Sequence, residues 1–493
     1  MPEQTMLAST TDPVSQALVA FAIVALFVLL AREAAHRVVV AMTCVSFVWV
    51  VTYLTPFHLI GFSAASAAID LNVLMLLAGM MAVVGVLKST GAFSWAVSRL
   101  MARAQGRPRT AASLVAWFTG ITSAFLDNVT TVIFVTPMAM GLAKRMRLAP
   151  MALLLPMVVA SNIGGTATLI GDPPNVMIGS GADLTFLAFL VNLAAPILIM
   201  MVVLQWYVGW YFREAFTSAG AAPADVGVEE VAIRDPVLFR WMLVICAAIL
   251  LGFLTHSLTG TPVAVPAIIG AAIALVAQDV RYVRTQSPTP HERAHGILEI
   301  ISNDIEWPTL SFFVFLFILV GAAVQTGLVA SVATGMGWSI ARVHDLLGLT
   351  DKGTLLFAAL LVCWVSAVLS AFIDNIPYVA VSIPILRHLI PTLHGETEVL
   401  WWALALGACL GGNATVVGAS ANVTTVGLAE RQGVRISFNE YSRFAAPMAT
   451  LTVLVSSVFL VGFVYMGGAH ARTTAWVAAA VLISFEVVRR RRR

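Results

Sequence analysis

The chain has 493 residues, of which 59% are hydrophobic and only 11% charged, and its mean hydropathy is +0.92, so it cannot cover a water-soluble surface, which ordinarily runs near a quarter charged. The formal charge of +3 is small but unevenly placed, closing on Arg489 to Arg493, and such placement bears on orientation across a bilayer. Cys44, Cys246, Cys363 and Cys409 stand singly, and no phosphate-binding G-x-x-x-x-G-K-[ST] loop accompanies Lys88, Lys144 and Lys352, so a disulfide scaffold, a metal centre, a bound cofactor, nucleic-acid binding and ATP hydrolysis by this chain are not expected.

Residues 1–35 hold the first span. Met1 to Gln16 carries Glu3 and Asp12 but no Lys or Arg, so the positive region of a signal peptide is missing and the apolar run from Val14 to Ala31 reads as a retained helix. Basic residues favour the cytoplasm. With Arg32 and Arg37 there, 38–54 leads outward, 56–70 is external and Leu71 to Leu87 returns. Arg99, Arg103, Arg107 and Arg109 are then inside, as are Lys144, Arg145 and Arg147. The apolar stretch 111–143 between these groups enters and leaves on one face, which predicts a re-entrant hairpin with Asp127-Asn128 at its middle. Residues 150–178 cross outward and 184–212 return, completing a first unit over 36–212.

The polar segment 213–235 is a cytoplasmic linker. In the second unit, 236–467, Pro236 to Thr255 leads out, Pro262 to Ala277 leads back, and Arg281, Arg284 and Arg293 lie inside. The span 307–325 then runs outward, opposite to 71–87. Its hairpin, 354–391, opens to the outside, and 399–428 crosses back. Arg431, Arg435 and the basic tail of a C-terminal helix over 468–493 fall in the cytoplasm, while the N-terminus is external.

The two units are copies. Ser123-Ala-Phe-Leu-Asp-Asn128 recurs as Ser370-Ala-Phe-Ile-Asp-Asn375, and Gly164-Gly-Thr-Ala-Thr-Leu-Ile-Gly171 recurs as Gly411-Gly-Asn-Ala-Thr-Val-Val-Gly418, both at an offset of 247. Pro137/Pro384, Asn175/Asn422 and Val176/Val423 keep that offset; Thr90-Gly91 matches Thr326-Gly327 at 236 and Ala194-Ala-Pro196 matches Ala445-Ala-Pro447 at 251, as loops of changed length require. The expected fold is an all-α polytopic membrane protein of two inverted-topology repeats, each with a re-entrant hairpin and a broken transmembrane helix.

The breaks are predicted where Ser161 to Asn175 and Cys409 to Asn422 concentrate Gly, Thr, Ser and Asn, with Asp172-Pro173-Pro174 in the first. Interrupted helices leave N–H and C=O groups free, which a membrane tolerates only around protein or a water-filled cavity. Asp127 and Asp374 lie deep in apolar sequence, where an ionisable group faces protein, water or an ion; each can equally cap the helix that starts at its hairpin tip. Small residues can also serve as helix-packing contacts, a reading that suits isolated glycines better than a polar block duplicated beside an aspartate. The copies differ: Asn162 is matched by Cys409, Thr166 by Asn413 and Asp172-Pro-Pro by Ala419-Ser-Ala. A symmetric ion cage is therefore not expected, and Asp172 reads as a turn residue or a ligand.

These motifs resemble the ion transporter superfamily, in its branch of arsenite permeases, NhaD-type sodium/proton antiporters and melanosomal P protein, through Ser123-Ala-Phe-Leu-Asp-Asn-Val-Thr-Thr131, Ser161-Asn-Ile-Gly-Gly165 with Gly171-Asp-Pro-Pro-Asn175, and Ser370-Ala-Phe-Ile-Asp-Asn375. The resemblance implies a scaffold and a mobile transport domain moving as an elevator, often in a homodimer. It implies a site lined by Asp127, Asn128, Asn162, Gly165, Thr168, Asn175, Asp374, Asn375, Asn413 and Asn422; Thr131 and Thr415, in the same elements, complete the candidate set. Gly411-Gly-Asn413 stands where dicarboxylate carriers of the superfamily show Ser-Asn-Thr, which argues against a dicarboxylate. The expected function is export of arsenite or antimonite across the inner membrane in exchange for protons, with or without a soluble ATPase partner; the alternative is sodium/proton antiport or transport of another inorganic ion. Two membrane aspartates also fit an intramembrane protease dyad, but both sit in the same repeated hairpin-tip context, not on facing continuous spans. A channel differs from a carrier in lacking counterflow.

Overall fold

A computed structural model describes residues 12–32, 35–104, 106–219, 232–286 and 300–491. Arg293, residues 220–231 of the linker and the last two arginines lie outside the described residues. The described residues form helices and no strands, and ten of the helices are long and apolar enough to cross a membrane.

The chain opens with α1 (Pro13–Ala31), α2 (Arg37–Leu54) and the short α3 (Phe62–Ala67). The first repeat continues through α4 (Leu71–Ser89), α5 (Ala92–Ala104), α6 (Pro108–Phe125), α7 (Asn128–Arg145), α8 (Met151–Gly165), α9 (Pro173–Gly181) and α10 (Phe186–Tyr211). A short α11 (Arg213–Ser218) enters the linker, and α12 (Pro236–Thr259) and α13 (Ala264–Gln286) lead to the second repeat. Its members are α14 (Trp307–Gln325), α15 (Leu328–Leu347), α16 (Asp351–Ser370), α17 (Asn375–Leu389), α18 (Val399–Gly411), α19 (Ser420–Arg431) and α20 (Phe438–Met466), followed by α21 (Gly468–Arg491). Both expected hairpins are present, as α6–α7 and α16–α17, and both expected breaks, as α8–α9 and α18–α19. The basic stretch read as a cytoplasmic loop contains the helix α5, and its counterpart α15 likewise precedes the second hairpin.

The duplication is visible in backbone detail. Gly91 and Gly327 both take left-handed conformations, with φ of 79° and 75°, a conformation that costs glycine nothing, and each turns the chain from a long span into the helix before its hairpin. Between repeats the packing is exchanged. Helix α2, which leads into the first repeat, packs on α14 of the second, and α13, which leads into the second, packs on α4 of the first. The α4–α13 contact is close enough that a Cβ on Gly79 would stand 3.0 Å from the Ala267 carbonyl carbon. Crossed contacts also join α7 to α19 and α17 to α9, so each hairpin's second arm rests on the other repeat's broken helix.

Within each repeat the first hairpin arm runs parallel to the first half of the broken helix. Small residues every fourth position, Ala116, Gly120 and Ala124, face Ala160, Gly164 and Thr168 at a constant separation of 44 in sequence. A Cβ on Gly164 would lie 1.9 Å from the Gly120 carbonyl oxygen, and one on Gly411 would lie 2.3 Å from the Ala367 Cα. Such close approach supplies dispersion contact where lipid removes the hydrophobic drive for helix association. Gly164 and Gly411, which belong to the duplicated blocks and not to isolated positions, thus serve as helix-packing contacts.

Candidate functional site

Both breaks are closed in the same way. Each contains two glycines whose backbones touch: a Cβ on Gly165 would meet the Gly171 carbonyl oxygen at 2.7 Å, and one on Gly412 would meet that of Gly418 at 2.6 Å. Asn175 Nδ2 donates to the carbonyls of Gly165, Thr166 and Thr168 at 3.4, 3.2 and 2.9 Å, and Asn422 Nδ2 donates to those of Gly412 and Thr415, both at 2.9 Å. The Thr168 hydroxyl donates to the Ala124 carbonyl, as Thr415 does to Ala371. The carbonyls left free by the interruption are thereby satisfied inside the protein. Gly165, Thr168 and Thr415, expected as site-lining residues, lie at the site but serve as its frame.

The side-chain oxygens of the two bracing asparagines meet partners from the opposite repeat. Asn162 Nδ2 donates to Asn422 Oδ1 at 2.9 Å, and Cys409, which occupies the matching position, donates through Sγ to Asn175 Oδ1 at 3.5 Å. These crossed bonds place α8 and α18 face to face. Asn162 is a hub: its Nδ2 also donates to Asn413 Oδ1 at 2.9 Å, while its Oδ1 accepts from Asn128 Nδ2 at 3.2 Å. Asn162, Asn413 and Asn422 are fully buried and Asn128 nearly so. Three polar atoms of this cluster have no hydrogen-bond partner: Asn128 Oδ1, Asn413 Nδ2 and the hydroxyl of Thr131, one helical turn from Asn128. Buried groups left so are costly, and together they offer both acceptor and donor capacity to a small polar guest.

The tip aspartates have another position. Asp127 Oδ2 accepts from the Thr130 N–H at 2.9 Å and from its hydroxyl at 3.1 Å; Asp374 Oδ1 accepts from the Ile376 N–H at 3.1 Å. Both carboxylates are helix caps, the role that competed with ion binding in the sequence. Asp127 also borders a narrow cleft against Leu77, Met80 and Met81 of α4. Asp374 Oδ2 accepts from Ser420 at 2.8 Å, and Ser420 in turn accepts from Arg37 Nη1 at 3.2 Å. Arg37 continues the line outward to Thr309 at 2.6 Å and to Glu306 at 3.9 Å, joining α2 and the start of α14 to α19.

Residues 27–407 match the profile of a family described as citrate transporter, CitMHS. The chain belongs to this family. Among its relatives, it is 36% identical over 444 residues to an uncharacterized transporter of Mycobacterium tuberculosis, spanning 89% of this chain and 96% of that protein. It is 35% identical over 407 residues to a 46 kDa membrane protein of Mycobacterium leprae, covering 81% of this chain and 88% of that one. Human P protein is 30% identical over 469 residues, 80% of this chain but 53% of the human protein, so the P-protein kinship read from the motifs holds. In structure, the YdaH transporter of Alcanivorax borkumensis superimposes with a TM-score of 0.54 over 92% of this chain and 99% of that one, at 15% identity; this likeness concerns the fold. The chain is a multi-pass membrane transporter.

In this citrate transporter family member, Asp172 is the site residue that sequence reasoning left undecided. It stands at the start of α9 yet makes no capping bond. It is 1% exposed, its Oδ2 accepts from Asn375 Nδ2 at 3.4 Å, and it faces Cys409 and Asn128. Asp172 therefore joins the two hairpin tips. The second repeat has Ala419 there, an asymmetry visible in the sequence that left a turn and a ligand role equally open.

Proposed function

We propose that the protein is a secondary active transporter that exports arsenite or antimonite from the cytoplasm in exchange for protons. The observation that carries this reading is the composition of the buried cluster, in which Asn128, Thr131 and Asn413 around Asn162 leave both donor and acceptor atoms unpaired. An uncharged trihydroxide presents both O–H donors and oxygen acceptors and fits that mixture. A cargo with several carboxylates calls for guanidinium or ammonium partners. The cluster is bordered instead by Asp127, Asp172 and Asp374, and Arg37 reaches only its rim through Ser420, which argues against citrate as cargo. The same carboxylates favour one second reading, sodium/proton antiport, because hard cations and protons take oxygen ligands.

The crossed packing supports alternating access of an elevator type. The hairpins and broken helices of both repeats, knit by crossed contacts, form the mobile body; α4 and α14, held by α13 and α2, form the scaffold it moves against. Everted membrane vesicles test the function. Arsenite accumulation that rises with an imposed proton gradient supports the reading, and sodium-dependent proton movement without arsenite uptake replaces it with the second.

A further inference from the structure

Three carboxylates approach the centre of the molecule, and two are committed. Asp127 and Asp374 each spend an oxygen on a backbone N–H group at a hairpin tip. Asp172, at the start of α9, makes no such bond. At 1% exposure it makes no capping bond and has no ion pair among the described residues; the Asn375 amide donates to it at 3.4 Å, and Cys409 and Asn128 lie within hydrogen-bond reach. Around it stand Asp127 and Asn128 from the first tip, Asp374 and Asn375 from the second, and Cys409 from α18. None of these is a cation, and two are carboxyl groups. A buried charge in such company is strongly unfavourable, whereas a neutral carboxyl is a hydrogen-bond donor. Asn128, whose Oδ1 has no hydrogen-bond partner, stands beside it.

Resting on the proton-exchange reading above, we propose that Asp172 is the carboxyl that carries the exchanged proton, and that Asp127 and Asp374 serve as helix caps throughout the cycle. In the closed centre, Asp172 is protonated and bridges the two tips. When the mobile body opens the site to the cytoplasm, water reaches Asp172 and the O–H bond breaks, the proton passing to water and the electron pair staying on the carboxylate. The ionised form no longer donates to Asn128, which frees that oxygen for cargo. Opening to the other side lets the cargo leave and a proton return. Because the second repeat carries Ala419 in place of Asp172, the chain holds one such group, so one proton enters for each neutral solute exported and the exchange is electrogenic.

Infrared difference spectroscopy of the full chain in lipid tests the protonation without reference to cargo. At neutral pH the wild type is expected to show the C=O stretch of a buried protonated carboxyl; Asp172→Asn loses it, and the double variant Asp127→Asn/Asp374→Asn keeps it. The double variant makes the test independent of whether Asp172→Asn folds. A band that survives in Asp172→Asn, or vanishes in the double variant, overturns the proposal. In proteoliposomes, Asp172→Asn is expected to lose arsenite accumulation driven by a pH gradient; gradient-driven accumulation at the wild-type level overturns the proposal. Absence of arsenite transport by the wild type rejects the cargo reading alone, and the infrared result then decides for Asp172.

Discussion

Replacing Gly164 by alanine should damage this protein out of proportion to the single methyl added. The new Cβ would lie 1.9 Å from the Gly120 carbonyl oxygen and 2.5 Å from its carbon, where real Cβ atoms keep at least 3.0 Å. No side chain is available to rotate aside, because the obstacle is backbone, so α6 and α8 must part by about 1 Å. Overpacking of this kind costs about 1–3 kcal/mol. The displacement is passed directly to Asn162, two residues earlier on α8, whose bonds to Asn128, Asn413 and Asn422 are 2.9–3.2 Å long, and to the Thr168 bond that closes the break. A misplacement of about 1 Å in a positioning network costs up to about 100-fold in rate. The expectation for Gly164→Ala is a clearly lower unfolding temperature in detergent and at least a tenfold loss of arsenite counterflow. Gly411→Ala, whose nearest obstacle is at 2.3 Å, should show a milder version. Gly141→Ala is the control: nothing lies within 4 Å of its added Cβ, and removing a helical glycine should stabilise α7 by about 0.5–1 kcal/mol. Wild-type stability and counterflow in Gly164→Ala would refute the close-packing argument, as would an equal loss in Gly141→Ala.

Three further outcomes are expected. Asn162→Ala leaves Asn128 Nδ2, Asn413 Oδ1 and Asn422 Oδ1 without their partner, at about 1–3 kcal/mol for each group that stays unsatisfied, so its unfolding temperature should fall below that of Thr131→Ala, which removes a hydroxyl that has no partner. Arg37→Gln cuts the line from Thr309 and Glu306 to Ser420 but leaves the Asp374 cap on Ile376 in place; it should fold, lose about 1–2 kcal/mol of stability and change how readily engineered cysteine pairs between α2 and α19 crosslink, and unchanged crosslinking rejects Arg37 as a tie between the two bodies. Asp235, outside the membrane at the start of α12, supplies a pH dependence: burial works against its charge, but the Arg281 side chain at 2.7 Å and the N–H groups of Leu238 and Val237 outweigh it and hold the carboxyl below its usual range. A depressed folded value means stabilisation that is complete above the unfolded value of about 3.9 and lost as pH falls through the folded one; Arg281→Gln should weaken that acid-side loss, measured as unfolding temperature against pH.

The frame of this molecule was legible in its sequence because duplication writes each feature twice. A hairpin tip, a glycine pair or a bracing asparagine found at one position was checked by its copy 247 residues away, and most helix limits differ from the expected ones by a few residues, although α13 runs on to Gln286 and takes in Arg281 and Arg284. The site was legible as a neighbourhood. Its division of labour was not, because a polar residue in a break reads the same whether its hydroxyl closes the backbone, as Thr168 and Thr415 do, or faces the centre, as Thr131 does. The same holds for the aspartates: only coordinates separate a carboxylate satisfied by Thr130 or Ile376 from one that has no such donor. The exchange of α2 and α13 between repeats was also hidden, since apolar spans do not encode which of several equally apolar neighbours they meet.

The differences between the repeats explain why a pseudo-symmetric frame does not build two sites. Two bracing bonds of Asn175 have counterparts at Asn422, and those of Thr168 and Thr415 match, so the two breaks are closed alike; Asn175 adds a bond to the Thr166 carbonyl. At the crossed contacts the equivalence ends. Asn162 carries two donors and an acceptor and ties three asparagines together, whereas Cys409 at the matching position has one weak donor and ends the network at Asn175. Where Thr166 hydrogen-bonds its own helix at the Asn162 carbonyl, Asn413 projects an amide into the cluster. Polar capacity is thus drawn toward the centre from both halves, and the single uncommitted carboxyl, Asp172, comes from only one. A guest bound there touches the two hairpin tips unequally. Its arrival or departure changes the balance between two otherwise matched halves, and such a bias is what a carrier needs to prefer one facing state over the other.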